Sequence, residues 1–114
     1  MCSIGTRNIL AAMSLCGCRR LLVVSSASVG DSYAAGILGA GFMVRLALRQ
    51  VMSDKELQEA SVIASAYDWT IVRPVKMTNA PAKGGLKAGV GLRWSVASTA
   101  TRSDVANYVV KILA

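Results

Sequence analysis

The side chains that could do chemistry stand at the ends of two apolar runs and on the segment between them. Ser25 and Ser26 close the run LLVVSS, residues 21–26, and Arg73-Pro74 closes DWTIVRP, residues 68–74, with Val75-Lys76 next in the chain. In open α/β sheets ligands sit at the carboxyl ends of strands. Serine hydroxyls there can bond either a ligand or the neighbouring backbone, and Arg73 and Lys76 offer positive charge to an anionic ligand. Lys55, inside Ser53-Asp54-Lys55-Glu56, is a further cation. Cys16-Gly17-Cys18 brings two thiols close together, but the three cysteines are odd in number and the chain has no histidine. A zinc site is therefore not expected, and the sequence reading takes the cysteines as reduced, buried thiols around a helix end.

These residues need elements to position them. Residues 4–16 place Ile9, Met13 and Cys16 on one helical face with Ala12 beside them, and Gly17 follows as C-cap. LLVVSS is continuous in its apolar character rather than alternating, as suits a strand buried on both faces of a parallel sheet. The small residues from Ala27 to Tyr33 read as a loop. Residues 37–50 are helix-like, weakened by Gly36, Gly39 and Gly41. Ser53-Asp54-Lys55-Glu56 has the form of a capping box, which predicts a helix from Ser53 to about Ala66. WTIVR is a second buried strand, and Pro74, which cannot donate to a ladder, ends it. The segment 74–91 reads mostly as loop, residues 92–97 as a short third strand, and Ser103 or Thr101 caps a last helix, DVANYVVKIL. Strands alternating with helices in this order make part of a doubly wound α/β layer.

Composition narrows the class. A chain of 114 residues makes one domain, here residues 1–114. Apolar residues make up 54% and aromatics 5%, so the core is built of aliphatic side chains. The longest apolar stretch, Ala34 to Leu48, is interrupted by Arg45 and is shorter than the roughly 20 residues a bilayer span needs. No secretory h-region opens the chain, and the expectation is a cytoplasmic protein with no membrane partner. The formal charge of +7 is concentrated where Arg73, Lys76, Lys83, Lys87 and Arg93 stand with no acid between Asp68 and Asp104. Such a run suits either a solvated loop or phosphates. Without interleaved aromatics apart from Trp94, nucleic acid is not the expected partner.

GTRNILAAMSLCGCRRLLVVSSAS, DWTIVRPVKMTNAP and TRSDVANYVV, in this order, resemble the carboxyl-terminal half of the atypical short-chain dehydrogenase/reductases. These are NAD(P)-binding Rossmann proteins of the NmrA-like and flavin reductase-like type. The resemblance implies a partial, Rossmann-like parallel sheet with flanking helices, lacking the first strands and the Gly-rich phosphate-binding loop. Gly36-Ile37-Leu38-Gly39-Ala40-Gly41 follows a loop rather than a strand and reads as small residues at a helix contact.

The resemblance also implies roles. Ser26, with Ser25 adjacent, would face the nicotinamide and substrate, and Lys55 could contact the ribose hydroxyls. The backbone after Pro74, from Val75 to Met77, would lie against the nicotinamide carboxamide, and Arg73 and Lys76 would supply positive charge beside the cofactor or an anionic substrate, which makes Ser25, Arg73, Pro74, Val75 and Lys76 the cofactor-binding candidates. The Tyr-x-x-x-Lys pair of the larger group is absent, since Val51 stands four residues before Lys55; Tyr33 is a weak substitute. The implied cofactor is NAD(P), and the implied chemistry is hydride transfer to a flavin or other small substrate. Lacking the phosphate-binding half, the chain is expected to be truncated and weakly active or inactive. The alternative is a non-catalytic association module that recruits another chain, or a second copy of itself, through an exposed sheet edge.

Overall fold

The computed structural model describes residues 1–27, 46–89, 92 and 98–114. Helix α1 spans Cys2–Cys16, and strand β1 spans Arg20–Val24. Helix α2 (Arg49–Ile63) leads to strand β2 (Asp68–Val72). Short strands β3 (Lys76–Thr78) and β4 (Thr99–Thr101) precede helix α3 (Arg102–Leu113). Among the described residues two parallel pairs form, β1 with β2 and β3 with β4. In the first, Arg20 faces Asp68 and Val24 faces Val72; in the second, Lys76 faces Thr99 and Thr78 faces Thr101. The two apolar runs are thus neighbouring parallel strands joined through α2, as the doubly wound reading requires, but they are not buried on both faces as expected: Val23 is buried, while the rest of β1 and all of β2 are half-buried or exposed. No helix among the described residues is long and apolar enough to cross a membrane.

Helix α1 ends as its sequence specifies. Gly17 takes φ +75°, and its N–H donates to the Met13 carbonyl at 3.1 Å, the left-handed turn that glycine adopts without steric cost. Its buried face, however, is not the one apolar counting selects. Ser3, Thr6 and Met13 are buried while Ile9 is 53% exposed. Polar pairing decides the matter: Gln58 Nε2 of α2 donates to Thr6 Oγ1 at 2.9 Å, and the Tyr67 hydroxyl donates to the Leu10 carbonyl at 3.2 Å. All three cysteines are free and exposed, which corrects the expectation of buried thiols.

Helix α2 begins at Arg49, not at Ser53. The capping box is not used because Arg49, Gln50, Val51 and Met52 carry the helix back past it, and Met52, 4% exposed, gains burial by doing so. Asp54 has another task. Its carboxylate accepts from the backbone N–H groups of Cys2, at 2.6 Å, and Ser3, and from the Ser3 hydroxyl. Orphan donors at the start of α1 are thereby satisfied from a different helix. The Ser3 hydroxyl first, and then the amino group at Met1, hold the Asp54 carboxyl well below the usual carboxylate range.

Two further corrections fall in the carboxyl-terminal third. Lys76–Thr78 is a strand within the segment read as loop. Leu92 lies outside any strand, and the other residues of the expected strand 92–97 lie outside the described residues; the partner of β3 is instead Thr99–Thr101. The loop expected over 27–33 and the helix over 37–50 likewise fall mostly outside the described residues, as do Tyr33 and the Gly36–Gly41 segment. Of the two candidate caps for α3, Thr101 does the work: its Oγ1 accepts from the Asp104 N–H at 3.0 Å.

Candidate functional site

The β1–β2 ladder runs on past both strands. Ser25 N–H donates to the Val72 carbonyl at 2.7 Å, and Ala27 N–H donates to the Pro74 carbonyl at 3.0 Å. This continued pairing sets Ser25 and Ser26 beside Arg73 and Pro74, so the two strand ends form one rim. Pro74 costs the pairing nothing, because it is the proline carbonyl and not its missing N–H that the ladder uses.

Helix α2 delivers Lys55 to the same rim. Its Nζ lies 3.5 Å from the Val24 carbonyl, the last residue of β1 before Ser25. One turn along the helix, Glu59 is 3% exposed. It receives a two-pronged contact from Arg73, Nε to Oε1 at 3.0 Å and Nη2 to Oε2 at 2.6 Å. The fork geometry matches guanidinium to carboxylate. The Arg73 charge is therefore answered by Glu59, and the pair ties α2 to the end of β2. Nothing in the sequence pattern singles out Glu59, which is one of three acids on α2.

Ser25 is 4% exposed, and its hydroxyl has no hydrogen-bond partner among the described residues. Buried hydroxyls are normally bonded, and one left unpaired costs free energy. Its position at the carboxyl end of two parallel strands, one residue beyond the Val24 carbonyl that the Lys55 ammonium approaches, is where a polar ligand group would satisfy it. Ser26, Pro74 and Val75 are half-buried, whereas Lys76 is exposed at the start of β3. Ser25, Ser26, Lys55, Arg73 and Pro74 are thus brought together, with Val75 and Lys76 leading away from the rim into β3.

A second clamp holds the segment after β3. Asp104, 7% exposed, accepts from Lys83 N–H at 2.9 Å, Gly84 N–H at 3.2 Å and Thr101 Oγ1 at 2.8 Å. Arg102 Nη1 donates to Asn79 Oδ1 at 2.6 Å. The Lys83 backbone N–H, followed by the Thr101 hydroxyl, keeps the Asp104 carboxyl below its ordinary range. Thr101-x-x-Asp104 is a helix-start signature legible in the sequence; that its carboxylate would pin residues 83 and 84 is not.

The model of a family described as NAD(P)H-binding matches residues 2–114. The chain belongs to that family. No curated protein matches the sequence. Two solved structures share its fold. One is described as ChuY, an anaerobillin reductase from Escherichia coli O157:H7, with 21% identity and a TM-score of 0.84 over 98% of this chain and 52% of that one. The other is ChuY from the E. coli strain CFT073, with 22% identity and a TM-score of 0.85 over 97% of this chain and 57% of that one. The chain spans about half the length of these structures. The fold of this chain is accordingly Rossmann-like and partial, and the rim at the ends of β1 and β2 lies where that fold takes its ligands.

Proposed function

We propose that this rim is the nicotinamide-facing side of an NAD(P)H-dependent oxidoreductase acting on a flavin or other small conjugated acceptor in the cytoplasm. The observation that carries the reading is the buried Ser25 hydroxyl, without a partner among the described residues, at the joined ends of two parallel strands where Lys55 reaches the adjacent Val24 carbonyl. These residues fit a nicotinamide dinucleotide, which needs hydrogen-bonding groups at the carboxamide and a cation near the ribose. When bound, the dinucleotide supplies a hydride, and the protein supplies position and electrostatics.

In this reading Ser25 and Ser26 donate to the carboxamide or to the acceptor, and Lys55 donates to the ribose hydroxyls. The backbone from Pro74 to Lys76 lines the ring, with Lys76 contributing charge. Arg73 acts through Glu59, holding that backbone against α2 so that the rim keeps its shape. No Tyr-x-x-x-Lys acid is present, so these residues orient and exclude water rather than protonate a substrate.

The resemblance to the carboxyl-terminal half of its relatives implies that the residues described here hold the nicotinamide end better than the adenine end. Reduced nicotinamide mononucleotide and ADP-ribose separate the two. In amide NMR spectra the mononucleotide should shift Ser25, Ser26, Lys55 and Val75, while ADP-ribose leaves them in place. Lys55→Met should weaken that binding by about tenfold or more, the loss of a charge-assisted hydrogen bond. Shifts caused by ADP-ribose at these residues, or none with either probe, would overturn the assignment.

A second reading, association through an exposed sheet edge, is favoured by the 37% exposure of both Val24 and Trp69 in the β1–β2 pair. Sedimentation at micromolar concentration distinguishes it: a monomer at all concentrations removes this reading.

A further inference from the structure

Away from the rim, at the turn between α1 and β1, two thiols meet. Cys16 Sγ and Cys18 Sγ are 3.2 Å apart, both side chains are exposed, and neither is disulfide-bonded. A disulfide bond measures about 2.05 Å, so the sulfurs need to close by little more than 1 Å to bond. Gly17 between them, at φ +75°, holds the turn that aims both side chains the same way, and no atom of the described protein approaches its missing Cβ. Arg19 and Arg20 follow directly in the chain.

We propose that Cys16 and Cys18 form a reversible dithiol–disulfide site that exchanges with low-molecular-weight disulfides such as glutathione disulfide. Cys16 is the attacking sulfur. Its thiolate forms a bond to one sulfur of glutathione disulfide, the bond between the two glutathione sulfurs breaks, and one glutathione thiolate leaves. Cys18 then loses its proton and attacks the Cys16 sulfur, forming the Cys16–Cys18 bond and expelling the second glutathione thiolate. The protein's two thiols are oxidised, one disulfide is reduced to two thiols, and the protons of Cys16 and Cys18 end on the two glutathiones.

The division of labour follows from the hydrogen bonding. The Cys18 backbone N–H and then its thiol stabilise the Cys16 thiolate and lower its pKa, while donation to Cys16 raises that of Cys18. An exposed, readily ionised thiol beside a resolving thiol is the arrangement that makes exchange selective. A ring closed across a single intervening residue is tight, so the disulfide is readily reduced again.

The test is equilibration of the full chain in glutathione buffers of graded GSH:GSSG ratio, followed by acid quenching, alkylation and peptide mass spectrometry. The expected species has lost two hydrogens across the peptide carrying Cys16 and Cys18 and has an alkylated Cys2, and it reverts when GSH is restored. Cys18→Ser should instead accumulate glutathione on Cys16, and Cys18→Ala should slow alkylation of Cys16 several-fold relative to the native chain. Stable mixed disulfides on both Cys16 and Cys18 of the native chain, or disulfide-linked dimers in place of the internal bond, would overturn the proposal. So would equal alkylation rates of Cys16 with and without Cys18.

Discussion

Replacing Ser25 by alanine should make this protein more stable, the opposite of what removal of a polar side chain usually does. The Ser25 hydroxyl is buried at 4% exposure and has no partner among the described residues. An unsatisfied buried polar group of this kind costs roughly 1–3 kcal/mol. Removing one oxygen leaves a void small enough to cost about 0.5 kcal/mol at the cavity coefficient known from core truncations. The difference predicts a gain of about 1 kcal/mol, or an increase in Tm of about 4 °C for a domain of this size. Ser65→Ala is the matched control, because the Ser65 hydroxyl donates to the Val62 carbonyl at 2.6 Å, and it should lose about 1 kcal/mol. Urea unfolding of both variants at neutral pH reads the two signs. The gain in Ser25→Ala should come with weakened binding of reduced nicotinamide mononucleotide, as at sites where function keeps a group that folding would discard. A Ser25→Ala protein that unfolds more easily than the native chain would show that the hydroxyl is already satisfied, and the argument for a ligand at this rim would fail.

The Glu59–Arg73 pair should respond asymmetrically. Arg73→Met strands a carboxylate whose side chain is 4% exposed and should cost about 3 kcal/mol, whereas Glu59→Gln leaves a guanidinium with 20% exposure able to reach water and should cost less. A double-mutant cycle in urea checks this, and equal, additive losses would contradict it. Asp104 should contribute to acid sensitivity: with its folded-state pKa depressed, its contribution is present above the ordinary carboxylate pKa of about 3.9 and is lost as pH falls through the lower folded value. Asp104→Asn should therefore flatten the acid limb of the stability profile, and an unchanged limb would remove Asp104 from the account.

Several features were legible in the amino-acid sequence because the physics that determines them is local. LLVVSS and WTIVR are short, rich in β-branched residues and continuous in apolar character, which marks neighbouring parallel strands, and their spacing leaves room for the helix that joins them; the burial on both faces that this pattern also suggested is not found, since only Val23 of the two strands is buried. Gly17 stops α1, and Thr101 starts α3, through backbone preferences expressed within a few residues. Motif order alone pointed to the NAD(P)H-binding family and its partial Rossmann-like fold; the roles it suggested for Ser25, Ser26, Lys55, Arg73, Pro74, Val75 and Lys76 stand as proposals.

What the sequence by itself could not decide is which distant groups answer one another. Ser53 to Glu56 carries every mark of a helix start, yet α2 begins at Arg49 and Asp54 serves the amino end of α1, 51 residues away at Ser3. Arg73 reads as a free charge until α2 places Glu59 against it, and Lys76–Thr78 reads as loop until Thr99–Thr101 supplies its ladder. The physical reason is the same in each case. A hydrogen bond or ion pair between residues far apart in the chain is selected by which surfaces the topology brings within about 3 Å, and burial then makes that choice strong. Tertiary structure alone left the Ser25 hydroxyl enclosed without a partner among the described residues, and that unpaired group is what points to a ligand at the rim.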